Sequence, residues 1–170
     1  MVQLWPPDVA IALQLALCPG MPYRAIAAAV GLSQSEVHGA VKRLVYARIV
    51  REDTRAARLP GLLEFLTSGV PYAFPAEPGA ESRGVPTAFA GPPLAGDLPE
   101  ASPLVWPAID GDRRGATIEP LYAAAPATAE GNPALYDLLT LVDAVRVGRA
   151  RERQRARVLL EERLMATESA

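Results

Sequence analysis

A mainly α fold, with an N-terminal helix-turn-helix, a Pro/Gly-rich extended middle segment and a C-terminal helical pair, follows from three observations on the 170-residue sequence. Residues 22–46, PYRAIAAAVGLSQSEVHGAVKRLVY, carry apolar side chains at helical spacing on both sides of a glycine. Residues 133–166 show the same spacing, interrupted once at Gly148. Between these stretches, residues 70–132 are dense in proline and glycine and contain no long periodic run. The expected division is 1–69, 70–132 and 133–170.

The first helix is expected over 8–17, with Asp8 as N-cap behind Pro6 and Pro7 and with Val9, Leu13, Ala16 and Leu17 on one face. Cys18, Pro19 and Gly20 stop it, and Pro22 suits the start of the next helix, where a missing N–H is tolerated. Trp5 is expected against this first helix or a partner subunit. Ile26, Ala27 and Val30 mark the inner face of the second helix. Val37, Ala40, Val41 and Leu44 mark that of the third. Gly31 lies where the chain reverses and a positive φ is needed. Ser33 and Glu36 form a capping box that starts the third helix at Gln34.

The constraints of a helix-turn-helix are met together here. Ala27, four residues before Gly31, is small where the two helices cross; Val37 plugs the angle between them; Leu32 anchors the turn. With these residues and the run LSQSEVHGAVKRL, the stretch resembles the winged helix-turn-helix regulators of bacteria, including MarR-type and Lrp-like proteins. The resemblance covers about the first third of the chain. It implies a winged helix-turn-helix over 1–69, double-stranded DNA as partner and a homodimer. A long insertion such as 70–132 departs from the MarR pattern, so no ligand pocket is carried over from that family. Two core helices with an accidental capping box are the plainer alternative.

In helix-turn-helix docking the first turns of the second helix reach base edges. Ser33, Gln34, Ser35 and His38 stand there, and Gly39 offers a close backbone approach. Lys42 and Arg43, further along, suit phosphates. Ile49 and Val50 suit a short strand, and Arg51, Arg55 and Arg58 then belong to a basic wing or to a solvated linker face. No clear second strand follows, because residues 60–68 read as another short helix closed by Gly69.

The middle segment holds Tyr72, Phe74, Phe89, Trp106 and Tyr122, too many aromatics for an ordinary linker. It reads as an ordered strand of chain wrapped over the domain by those anchors, or as a tether that recruits a protein partner through them. Asn132 and Pro133 open the helix over 133–147 as N-cap and first residue. The segment 149–166 is arginine-rich in its first half. Its arginines suit either DNA or an acidic partner, or a solvated face paired with Glu152, Glu161 and Glu162, which is preferred.

Net charge is −2, but unevenly placed. Residues 1–60 carry seven Lys/Arg against four Asp/Glu, a surplus of +3, whereas 61–130 carry three against nine. The segment expected to meet DNA is thus the basic one, and its modest surplus argues for two copies on one duplex. A single cysteine excludes an intramolecular disulfide and suits a reducing cytoplasm. No signal peptide or membrane span is expected. One histidine and one cysteine leave no nucleophile–base constellation, and GDRRG at 111–115 matches no phosphate loop, so no enzyme, metal or cofactor is expected. The function read from the sequence is a dimeric DNA-binding transcription regulator. The alternative is an antitoxin-like interaction module that neutralises a partner enzyme and regulates its own operon. A third option, a small-molecule sensor, needs a pocket between the middle segment and the C-terminal helices.

Overall fold

The computed structural model describes residues 1–97 and 102–170; four positions of the middle segment, 98–101, lie outside the described residues. The protein is mainly α with one small three-stranded sheet.

Helix α1 spans Pro6–Leu17, and every residue from Asp8 to Ala16 is buried. It has no polar face, so it is the axis around which other elements pack rather than an edge helix. Its start corrects the expectation for Asp8. Trp5 is the N-cap and both prolines lie inside the first turn, where their missing N–H groups would have had no partner anyway. Asp8 sits three residues beyond Trp5 and reaches back, accepting a hydrogen bond from the Trp5 N–H at 2.9 Å.

Helix α2 spans Tyr23–Val30 and α3 spans Gln34–Tyr46, with their expected apolar residues buried. Gly31 takes φ +78°, and its N–H and that of Leu32 both donate to the Ala27 carbonyl, turning the chain sharply. The capping box is formed: Ser33 N–H donates to Glu36 Oε2 at 2.8 Å and Glu36 N–H to Ser33 Oγ at 3.2 Å. Two bonds from Ser33 hold the Glu36 carboxyl below its usual range.

After α3 the chain makes a minimal hairpin. Val50 pairs antiparallel with Ala57, flanked by Arg51 N–H to Ala56 O at 2.9 Å and Arg58 N–H to Ile49 O at 2.8 Å. The return strand that sequence did not show is therefore a single bridge. Helix α4, Leu59–Glu64, then runs through one π-helical turn, Phe65–Gly69, into α5, Val70–Ala73, so the helix continues past its expected end. Pro71 has no N–H to offer the Thr67 carbonyl four residues earlier, and Arg157 donates to that carbonyl instead, at 3.0 Å.

The middle segment is ordered where it is described, and it contains strands that its composition hid. β1 (Glu81–Thr87) pairs antiparallel with β2 (Leu104–Pro107) through its second half and with β3 (Arg113–Thr117) through its first half. β2 and β3 pair parallel at Leu104–Ala116 and Val105–Thr117, closing the three strands on themselves. Such a tight ring leaves no room for side chains at its crossings. A Cβ on Gly84 would stand 2.0 Å from the Trp106 carbonyl oxygen, one on Gly111 2.3 Å from Gly84, and one on Gly115 2.2 Å from the Pro103 carbonyl oxygen. The glycines of GDRRG are strand-packing residues. The aromatic anchors divide: Trp106 and Tyr122 are buried, Phe74 and Phe89 half-buried, and Tyr72 exposed.

A short helix α6 (Thr128–Gly131) leads to α7 (Pro133–Val147), where Asn132 caps the Leu135 N–H at 3.3 Å. The same side chain donates to Gln14 Oε1 at 2.8 Å and to the Ala29 carbonyl at 3.1 Å, tying the start of α7 to α1 and α2. The helix stops at Gly148, which is extended at φ −70° and ψ 157°; glycine fits there because a Cβ would stand 2.4 Å from the Ala144 carbonyl oxygen. Helix α8 (Ala150–Glu168) then folds back, burying Ala156, Leu160 and Leu164.

Two acid–base partners inside α7 hold the middle segment in place. Asp143 is fully buried; Oδ2 accepts from Thr87 Oγ1 and Trp106 Nε1, both at 2.6 Å, and Oδ1 from Arg146 at 2.7 Å. Arg146 also donates to the Phe74 and Glu119 carbonyls at 2.8 and 3.2 Å. Burial pushes the Asp143 carboxyl up, and these three donors oppose the push. One apolar cluster runs from α1 through the sheet to α8, so 1–69, 70–132 and 133–170 share a single core.

Candidate nucleic-acid interface

Helix α3 is divided by the packing. Val37, Ala40, Val41 and Leu44 face the core, while Gln34, Ser35, His38 and Lys42 are exposed on the other side. Spacings of three and four residues place Ser35, His38, Lys42 and the 70% exposed Tyr46 along one stripe. The His38 ring meets Tyr23 of α2 edge-on, with centroids 5.3 Å apart. A groove of about 420 Å³ runs beside this stripe, bounded by Tyr23, His38, Lys42, Tyr46 and, from the hairpin, Glu52 and Arg55.

Several expected contacts are engaged elsewhere. Arg43 forms a two-pronged pair with Asp8, at 2.8 Å for both bonds, and its guanidinium lies 5.2 Å from the centre of the exposed Trp5 ring. Removing this pair from the charge count leaves the +3 surplus unchanged, since one charge of each sign is withdrawn. Gly39 serves the same contact, because a Cβ there would stand 3.3 Å from Arg43 Nη1. A side chain there would make the Arg43 guanidinium give way by a few tenths of an ångström. Arg55 donates to the Gly20 carbonyl at 3.0 Å and stacks on Tyr23 at 5.2 Å, so it fastens the hairpin to α2. Ser33 is occupied by the capping box. Glu36, exposed and ionised at the start of α3, would repel phosphate at that end.

Arg51 and Arg58 lie on the other side of the hairpin. They line a second cavity of about 430 Å³ with Arg48, between the hairpin, the end of α1 and the end of α8. The two cavities thus share the hairpin as a wall. Sequence reasoning passed over Tyr23, Tyr46 and Arg48. The signal for Tyr46 was its place four residues beyond Lys42; nothing in the pattern marked Arg48.

Of the arginines of α8, two pair with aspartates rather than with the expected glutamates. Arg155 pairs with Asp97 at 3.0 Å and Arg163 with Asp137 at 2.9 Å, while Glu152 accepts the Arg149 N–H at 2.6 Å. Among the described residues no group of three or more His, Cys, Asp or Glu side chains could hold a metal ion, and no helix is long and apolar enough to cross a membrane. No family model, curated protein or solved structure matches the chain.

Proposed function

We propose that the protein is a cytoplasmic, DNA-binding transcription regulator of the winged helix-turn-helix kind, reading duplex DNA as a homodimer with α3. The observation that carries this reading is the division of α3: a fully packed inner face, and an outer, solvent-exposed stripe of Gln34, Ser35, His38, Lys42 and Tyr46. Amides and hydroxyls in the first turns suit base edges, whereas Lys42 and the Tyr46 hydroxyl suit phosphate and sugar. A surplus of +3 engages few phosphates, which is why two copies are invoked. The apolar face of α7 is used within its own chain, so a dimer built from the C-terminal helices would rely on the outer side of α8.

The partner-binding alternative called for free aromatic anchors in 70–132. Trp106 and Tyr122 are buried in the chain's own core, which leaves the exposed Tyr72 and the half-buried Phe74 and Phe89 as the anchors such a partner could meet.

A gel shift with the DNA upstream of the protein's own coding sequence tests the proposal. Binding is expected at low salt. Lys42→Ala should weaken it on all duplexes alike and lower the log–log salt slope by about 1. Gln34→Ala should change the sequences selected from a random pool. Folded protein that shifts no duplex at low salt overturns the proposal.

A further inference from the structure

Helix α3 ends in a Schellman turn. The Arg48 N–H donates to the Val45 carbonyl and the Ile49 N–H to the Leu44 carbonyl, both at 2.9 Å, and Arg48 takes φ +62°. This is the left-handed position after a helix that glycine fills with least strain. Gly20 and Gly31 follow that rule in the two preceding turns of this chain, at φ +72° and +78°. At the third such turn the chain places an arginine against its own backbone preference. Two other non-glycine residues take a positive φ, Arg55 at +51° and Ala88 at +52°. The Arg55 side chain is bonded to the Gly20 carbonyl and Ala88 has only a methyl to offer, so the bearing of the Arg48 strain lies in what its side chain lines.

That side chain lines the 430 Å³ cavity together with Arg51 and Arg58. None of the three enters an ion pair among the described residues, whereas Arg43, Arg146, Arg155 and Arg163 each do. The walls between them are largely apolar: Leu15, Pro19 and Leu59. Glu168, at the end of α8, is the one acidic side chain on the cavity, so its lining carries a net charge of +2. Three exposed arginines lining a concave, half-apolar space suit an anion, and a phosphate group carries the matching charge.

We infer that the cavity between the hairpin, α1 and α8 binds a small molecule bearing a phosphate group, held by Arg48, Arg51 and Arg58. The site is separate from the α3 groove and stands whether or not α3 reads DNA. It faces the opposite side of the hairpin from His38 and Lys42.

Titration of the full chain with pyrophosphate, against sodium chloride at equal ionic strength, tests the assignment by calorimetry and thermal shift. Pyrophosphate should bind saturably and raise the melting temperature. Arg51→Ala should weaken it roughly tenfold or more. Arg48→Gly is the sharper variant. It should raise the ligand-free melting temperature by roughly 2–4 °C through relief of the backbone strain, while weakening pyrophosphate binding by a similar factor. Arg24→Ala, on the exposed start of α2, should leave binding unchanged. Wild-type protein that responds to pyrophosphate no more than to chloride overturns the site. So does an Arg48→Gly protein that binds pyrophosphate as the wild type does, or one that melts lower without ligand. A third arm uses a short duplex of arbitrary sequence. If Arg51→Ala and Arg58→Ala weaken duplex binding but not pyrophosphate binding, the arginines serve the DNA backbone and the assignment fails.

Discussion

Lys42 and Arg43 are adjacent, equally basic and indistinguishable by composition, yet the fold gives them different work. Lys42 is exposed on the outer stripe of α3, whereas Arg43 is turned one position around the helix, onto Asp8. The Asp8 side chain is 1% exposed, so its charge has no access to water and depends on its donors. The pair is two-pronged and backed by the Trp5 ring, a geometry that lysine could not reproduce. Arg43→Ala is therefore expected to lower stability by about 2 kcal/mol, because a buried carboxylate keeps only the Trp5 N–H. Lys42→Ala should stay within about 0.5 kcal/mol of wild type. Urea unfolding of the two variants checks this. Equal and small losses would mean that Asp8 finds water when Arg43 is gone. The periodicity of α3 put both residues outside the apolar face; it could not show that a carboxylate from 35 residues earlier would claim one of them.

At the scale of elements, the structure repeats a contrast between local and distant signals. The α2–α3 unit was legible because each of its determinants lies within a few residues: the glycine turn, the capping box, and the apolar faces at three- and four-residue spacing. The Asn132–Pro133 start of α7 was legible for the same reason. The sheet was not. β1 contains a glycine and a proline, β2 is four residues long, and the pairing joins residues far apart in the chain. No alternation of apolar and polar residues develops over such short strands. What specifies them is the absence of side chains at three crossings, and a glycine does not announce its neighbour. Gly111→Ala tests this reading. Its Cβ would fall 2.3 Å from the backbone of Gly84, which is not a flexible side-chain end and cannot swing away. A loss of more than about 3 kcal/mol is expected, beyond the roughly 1–3 kcal/mol typical of overpacking in a yielding core. Thermal unfolding followed by tryptophan fluorescence would register it, since the buried Trp106, one of two tryptophans, carries the Gly84 contact on the neighbouring strand. A mild effect would mean that the ring can open without disturbing the core.

Across the whole molecule, the three segments expected from composition are joined by groups that composition could not reveal. Asp143 draws Thr87 and Trp106 onto α7, Arg146 draws in the carbonyls of Phe74 and Glu119, and Asn132 bonds to both α1 and α2. The candidate interface therefore rests on elements from the far end of the chain. Helix α1 is buried on all sides, and part of that burial comes from α7 and α8. Cutting after residue 69 would expose one side of α1 to water, remove the Asn132 bonds to Gln14 and Ala29, and leave a fragment of about 70 residues. Such a length supports a stable core only when that core is complete. The fragment 1–69 is accordingly expected to show helical circular dichroism without a cooperative melting transition, whereas the full chain should melt in one step seen alike by circular dichroism and by tryptophan fluorescence. A sharp transition in the fragment would show that α1, α2, α3 and the hairpin carry their own core. The middle and C-terminal segments would then be additions to an autonomous helix-turn-helix unit, and the bonds from Asn132 would be dispensable to it.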